Sequence, residues 1–255
     1  MTATSTAPGL SAAAAATTAA ATTGAATTAA AANEVPATAD HSATAPHHIP
    51  NPAFGGRADD ATIARTAAAL EAKGYAVHVV ESGEEAKNLV VGLLPEGAEV
   101  GQGASTTLED IGITHEIEES GRFDAVRKHT RSMDRTTEEG LRAMRKLGVG
   151  PDWYVNSAHA VTEDGTIVVA SNTGSQLAPL SFGAGEVIFA IGSQKLVPDL
   201  ATAFRRLEEH ILPLESERMQ GIYGVDSEIK KVLIIHKEFR PGRFTIVLIK
   251  EPVGF

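Results

Sequence analysis

From Asp59 onward the chain alternates between apolar residues spaced three and four apart and short unbroken apolar runs. Ile63, Ala67 and Leu70 share one side of a predicted helix over 59–73, which Gly74 ends. A strand is predicted over 75–80. Ser82-Gly83-Glu84-Glu85 has capping-box spacing and opens a helix over 84–94 that stops at Pro95. A strand over 99–102 empties into Gly103-Ala104-Ser105-Thr106-Thr107, and a short helix runs from Leu108 to Ile111. A further helix over 137–147 carries Leu141, Met144 and Leu147 and closes at Gly148 and Gly150.

The second half is richer in strands. These are predicted over 153–156 and 166–170, with Asp164-Gly165 between them as a turn signal. The unbroken apolar run over 186–191 fits a strand buried on both faces. Leu200, Phe204, Leu207 and Ile211 form one stripe of a helix over 198–210, and two last strands, over 231–236 and 243–250, are joined through Pro241-Gly242. Helices alternating with buried strands predict one α/β domain of about 200 residues built on a largely parallel sheet.

Composition separates this part from what precedes it. Between Met1 and Asn33 there is no charged side chain, and Ala, Thr, Ser and Gly fill almost every position. Ordering a backbone costs roughly 1–2 kcal/mol per residue, and this segment lacks the large apolar residues to offset that cost. Residues 1–56 are therefore expected to be a disordered tail and linker, and residues 57–255 the folded domain. Leu10 is the only large aliphatic residue between Met1 and Val35, and no arginine precedes Arg57, so neither a secretory signal nor a transit peptide is expected. No stretch reaches the roughly 20 apolar residues of a membrane span. The chain has no cysteine, which excludes a thiol nucleophile, a disulfide and any cysteine-ligated iron–sulfur cluster of its own. A cytoplasmic location is expected.

Of the 32 acidic side chains, 30 follow residue 56, against all 22 basic ones, so the domain carries a net charge of −8. That balance disfavours nucleic-acid binding, which needs a basic face. Arg127, Lys128, His129, Arg131 and Arg135 form a local basic run that either reaches over an anion or is a solvated face. No metal site is expected: His47 and His48 lie in the tail without a third ligand at metal spacing.

The Gly-Ser-Thr turn is the first candidate site. Gly101 and Gly103 allow a tight turn and close approach to a ligand, while Ser105 and Thr106 place hydroxyls at a helix start. They either cradle a phosphate or carboxylate or cap the helix. Lys195 follows the buried strand through Gly192-Ser193-Gln194, where a parallel sheet presents residues to a ligand crevice. It is read as a cation for an anion or carbonyl, with a surface lysine as the alternative. Asn172 and Thr173 follow another strand and either bond a substrate or make the turn with Gly174.

Three segments carry a resemblance. Gly103-Ala104-Ser105-Thr106-Thr107-Leu108 with Ile111-Gly112 resembles the opening signature of the LUD-domain family, typified by lactate-utilisation protein C. Asn156 to Thr166, containing Ala160-Val161-Thr162-Glu163-Asp164-Gly165, resembles a second segment of it, and Gly174-Ser175-Gln176 through Lys195-Leu196-Val197-Pro198-Asp199-Leu200 a third. The resemblance implies a Rossmann-like sheet of the sugar-phosphate-isomerase and CoA-transferase-like group, flanked by helices. It also implies association with oxidation of L-lactate to pyruvate, alongside iron–sulfur partner proteins; the ligand expected from the Gly-Ser-Thr turn is a small carboxylate or phosphate. Two departures stand out: residues 221–230 lack the cysteine cluster of many members, and Ser175-Gln176 replaces the usual Asn-Arg. Glu163 is read as a general base or nucleophile, as CoA-transferase-like proteins use a glutamate, or else as a solvated turn residue beside Asp164-Gly165. His159 is an acid or base near Glu163, or a hydrogen-bonded structural residue. Two functions follow: an accessory or subunit protein of lactate oxidation, or an isomerase- or CoA-transferase-type enzyme with Glu163 and Lys195 as catalytic residues. No cofactor can be named.

Overall fold

The structure, a computed structural model, describes residues 49–255. Most of the segment expected to be disordered, together with His47 and His48, lies outside the described residues. Its last part is described: Asn51 donates a backbone hydrogen bond to the Glu209 carbonyl at 2.8 Å and caps a short turn at Pro52–Phe54.

Ten strands are present among the described residues: β1 Ala76–Val80, β2 Glu99–Gln102, β3 Asp124–Ala125, β4 Trp153–Asn156, β5 Ala160–Thr162, β6 Ile167–Ser171, β7 Glu186–Gly192, β8 Leu196–Val197, β9 Lys231–Ile235 and β10 Phe244–Ile249. The α-helices are α1 Asp60–Ala72, α2 Gly83–Leu93, α3 Thr106–Asp110, α4 Ile113–Glu119, α5 Val126–Ser132, α6 Glu138–Val149, α7 Leu200–Arg206 and α8 Leu212–Tyr223. Six strands make a wholly parallel sheet in the order β1-β10-β7-β4-β2-β3, and a second sheet runs β8-β5-β6-β9.

The parallel sheet is buried on both faces, which is why its central strands are unbroken apolar runs. Alternate residues go opposite ways, as strand geometry requires. Phe189, Ile191, Phe244 and Ile246 pack toward α1 and the second sheet, while Ile188, Ala190, Val247 and Ile249 pack toward α2, α3 and α4. Each such fully buried large side chain contributes roughly 1.5–3 kcal/mol. The far face of the second sheet, through Ala160, Val168 and Ala170, is covered by Ala203 of α7 and by Leu207 and Ile211.

The predicted elements reappear, with three differences. Asp164-Gly165 closes a hairpin between β5 and β6, not between the predicted strands over 153–156 and 166–170; the first of those belongs to the other sheet. Three residues are too few to show an alternation, so β5 left no sequence signal. The strands over 231–236 and 243–250 likewise lie in different sheets. The helix predicted over 198–210 continues through a π turn at Leu207–Ile211 into α8, ending at Gly224 with φ +69°. Pro213 has no N–H to give the helix, and the widened turn before it accommodates that loss. Leu141, Met144 and Leu147 of α6 are half-buried.

Candidate functional site

After β2 the chain enters the parallel sheet at its outer edge, β3, whereas after β4 it next enters at β7, on the other side. The carboxyl ends of neighbouring β2 and β4 therefore flank a reversal of direction, the place where an open α/β sheet forms a ligand crevice. A cavity of about 110 Å³ lies there, lined by Ser105 and Thr106 after β2, Asn156, Ser157 and His159 after β4, Asn172 after β6, Lys195 after β7, and the charged side chains Glu215 and Arg218 of α8 and Glu228 beyond it.

Lys195 is 1% exposed. Its amine donates to the Thr107 hydroxyl at 2.6 Å and the Ser157 hydroxyl at 3.1 Å. Both hydroxyls donate onward, Thr107 to the Val253 carbonyl at 3.3 Å and Ser157 to the Ala158 carbonyl at 3.4 Å. Burial, reinforced by the Arg206 guanidinium, pushes the amine well below the ordinary lysine range, and Asp110 opposes this more weakly.

Arg206 is fully buried. It donates to the His159 carbonyl at 2.5 Å and the Gln194 carbonyl at 3.3 Å, holding together the segments that follow β4 and β7. Its Nη2 has no partner among the described residues, and burial lowers the group to about 10, so it stays charged at neutral pH. His159 accepts a hydrogen bond from the Ala170 amide at 3.2 Å, which fixes the proton on Nε2 when the ring is neutral. Burial first, then Lys195 and Arg206, pushes its imidazole down to about 3. Lys195 and Arg206 are thus two buried basic side chains with no carboxylate hydrogen-bonded to either among the described residues.

The Gly-Ser-Thr turn serves two purposes. Ser105 caps α3 through the Leu108 amide at 3.5 Å and also lines the cavity beside Thr106. Gly103 does not turn the chain tightly; an added Cβ would lie 2.3 Å from Asn156 Oδ1, so its missing side chain makes room for Asn156. Gly101 similarly gives way to Tyr154 and Pro151. Asn156 donates to Gln176 Oε1 at 3.3 Å, and Gln176 in turn donates to the Ala170 carbonyl at 2.8 Å. Asn172 lines the cavity, whereas Thr173 bonds Ser175 in the turn at Gly174.

Glu163 is not brought to the cavity. It sits at the β5–β6 hairpin, where Arg65 donates to its carboxylate at 3.0 Å. His159 therefore faces Lys195 and Arg206 electrostatically, not Glu163. The basic run is spent locally: Arg127 and Arg131 hold buried Glu118, at 3.2 and 2.6 Å, and His129 pairs with Asp124. Thr107, Ser157 and Arg206 were not singled out by the sequence reading. Asn156 and Ser157, polar residues directly after an apolar strand, were the available signal; Arg206 had none, since it interrupts an otherwise apolar helix face.

The family model described as "LUD domain" matches residues 63–249. A solved structure of a DUF162 family protein from Deinococcus radiodurans is similar, with 9% identity, a TM-score of 0.47 and coverage of 74% of this chain and 96% of that one. Among curated proteins none matches. The match spans both sheets and every residue of the crevice named after β2, β4, β6 and β7, and the chain belongs to the LUD-domain family.

Proposed function

We propose that this chain is an accessory or subunit protein in the oxidation of L-lactate to pyruvate, holding a small carboxylate or phosphate in the crevice at the carboxyl ends of β2, β4 and β7. The observation that carries this reading is the buried Lys195 amine on the cavity wall, bonded only to hydroxyl oxygens, with the buried Arg206 guanidinium behind it bonded only to carbonyl oxygens. Burial without an opposite partner pushes the Lys195 amine toward its neutral form, and an anion in the cavity it lines favours the protonated one. Ser105, Thr106 and Asn172 supply neutral hydrogen-bond donors around that anion. Family membership supports the lactate connection, with iron–sulfur lactate-utilisation proteins as partners in a cytoplasmic setting. Gly103 belongs to this reading as the residue that admits Asn156.

The competing reading, an isomerase- or CoA-transferase-type enzyme using Glu163 with Lys195, is weakened by the Arg65–Glu163 ion pair away from the cavity. The decisive measurement is thermal unfolding in lactate, pyruvate, sugar phosphates, coenzyme A and inorganic phosphate. A ligand at a hundredfold its Kd adds about 2.7 kcal/mol. At least one of these anions is expected to raise Tm, and the rise is expected to vanish in Lys195→Met. A panel in which every anion leaves Tm unchanged overturns the crevice reading.

A further inference from the structure

We propose that Lys195 captures a small carbonyl compound bearing an anionic group, binding it covalently as an imine in the crevice. This rests on the anion-binding reading of the same site and adds a chemical step to it.

The geometry around the amine carries the inference. A neutral amine has two hydrogens and one lone pair. Thr107 and Ser157 accept one hydrogen each, and their own hydroxyl protons are directed onward to the Val253 and Ala158 carbonyls. With two positions on the nitrogen occupied by acceptors, one tetrahedral position has no partner among the described residues, and it carries the lone pair once the amine is deprotonated. A lysine kept for charge alone is expected beside a carboxylate or in water; this one is fully buried on hydroxyls and still lines a polar cavity. Lysine is the side chain that forms Schiff bases when its amine is desolvated beside another cation, and Arg206 is that cation here.

Polarity defines the ligand class: besides Lys195, the cavity of about 110 Å³ is lined by neutral hydrogen-bond donors and by Glu215, Arg218 and Glu228. Ser105, Thr106 and Asn172 present donors for a carboxylate or phosphate. The shared chemistry is thus a carbonyl compound with one anionic end.

In the reaction the Nζ lone pair attacks the carbonyl carbon and forms the N–C bond, while the carbonyl π electrons move to oxygen. A proton passes from nitrogen to that oxygen, giving a carbinolamine. Loss of water with formation of the C=N bond completes the step, so that amine and carbonyl become imine and water without oxidation or reduction. Protonation of the imine nitrogen restores a cation, which the ligand's anionic end offsets.

The test is reductive trapping on the full chain at neutral pH. The protein is incubated with pyruvate, or separately with glycolaldehyde phosphate, in the presence of cyanoborohydride, and the adduct is located by peptide mass mapping. The expected result is one adduct per chain on Lys195, lost in Lys195→Met and suppressed by excess lactate or inorganic phosphate, which bind but have no carbonyl. Labelling by pyruvate alone assigns the anionic end as carboxylate, and labelling by the phosphorylated aldehyde alone assigns it as phosphate. A thermal shift with pyruvate but no adduct on Lys195 overturns the imine while leaving the anion site standing. Neither shift nor adduct removes both. Labelling spread over exposed lysines and unchanged in Lys195→Met also overturns the proposal, independently of how well the variant folds.

Discussion

Two buried basic side chains stand at opposite ends of one pair of strands. Arg243 immediately precedes β10, at the amino end of the parallel sheet, and Lys195 follows β7 at the carboxyl end. Arg243 donates to the carbonyls of Pro179, Leu180 and Ala184 at 2.8, 3.2 and 3.0 Å, pairs with Glu238 at 2.6 Å and lies over the Phe244 ring. Every neighbour of Arg243 is supplied by the fold. Lys195 has comparable burial but only two hydroxyl partners, no carboxylate bonded to it among the described residues, and beside it a cavity that Glu215, Arg218 and Glu228 also line. Equal burial therefore does not make the two groups equivalent; they differ in the completeness of their partners.

The largest expected effect comes from exchanging the two basic side chains for a residue of similar length. Arg243→Met strands Glu238 and three carbonyls, and should cost about 3–5 kcal/mol, the range for breaking a buried pair. Lys195→Met leaves Thr107 and Ser157 with their onward bonds, so its stability should stay within about 1 kcal/mol of the parent while the ligand response disappears. Urea denaturation of both variants measures the contrast. Equal losses in the two would erase the distinction.

Acid comes next. His159 is held neutral in the folded chain down to about 3, whereas an unfolded imidazole takes up a proton below about 6.5. The unfolded state then binds more protons, so stability falls as pH drops through 6.5 and continues falling toward 3. This amounts to roughly 1.4 kcal/mol per pH unit at most, or about 2 kcal/mol by pH 5. His159→Asn keeps an acceptor for the Ala170 amide and should flatten this limb between pH 6.5 and 5 in equilibrium unfolding. An unchanged slope would mean that the ring is solvated.

Gly103→Ala is expected to cost about 1–3 kcal/mol by overpacking, because the new methyl meets Asn156 at 2.3 Å. It should also weaken the anion response by displacing Asn156 from the cavity wall, which the thermal-shift panel reads directly. The smallest effect belongs to Glu163→Gln. Its pair with Arg65 is partly exposed, so stability should change by less than about 1 kcal/mol and the ligand response should not change. A variant that binds no anion would return Glu163 to the site.

Much of the fold is legible from local pattern. The apolar run over 186–191 declared β7, the capping residue Ser82 began a helix whose amide it accepts, and Asp164-Gly165 closed a turn with φ +81° at Gly165. Harder to read was anything depending on which strands meet. β5 is too short to show a period, and the second sheet joins β5, β6, β8 and β9 from distant parts of the chain. At the site, Lys195 was legible because it follows a buried strand, and Ser105 because its residue type suits a helix start. Glu163 was drawn in through a motif, whereas its position at the hairpin pairs it with Arg65.

The sequence by itself determined the alternation of helices and strands, the cysteine-free α/β domain and the family, since periodicity, composition and contiguous motifs are properties of neighbouring residues. Only the tertiary structure decided that Lys195 is buried, that Thr107 and Ser157 take its hydrogens, and that Arg206 stands behind it without a carboxylate. Those facts depend on strand order. Placing β2, β4 and β7 side by side brings together residues 88 and 38 positions apart from Lys195, and such contacts are set by the packing of the whole sheet.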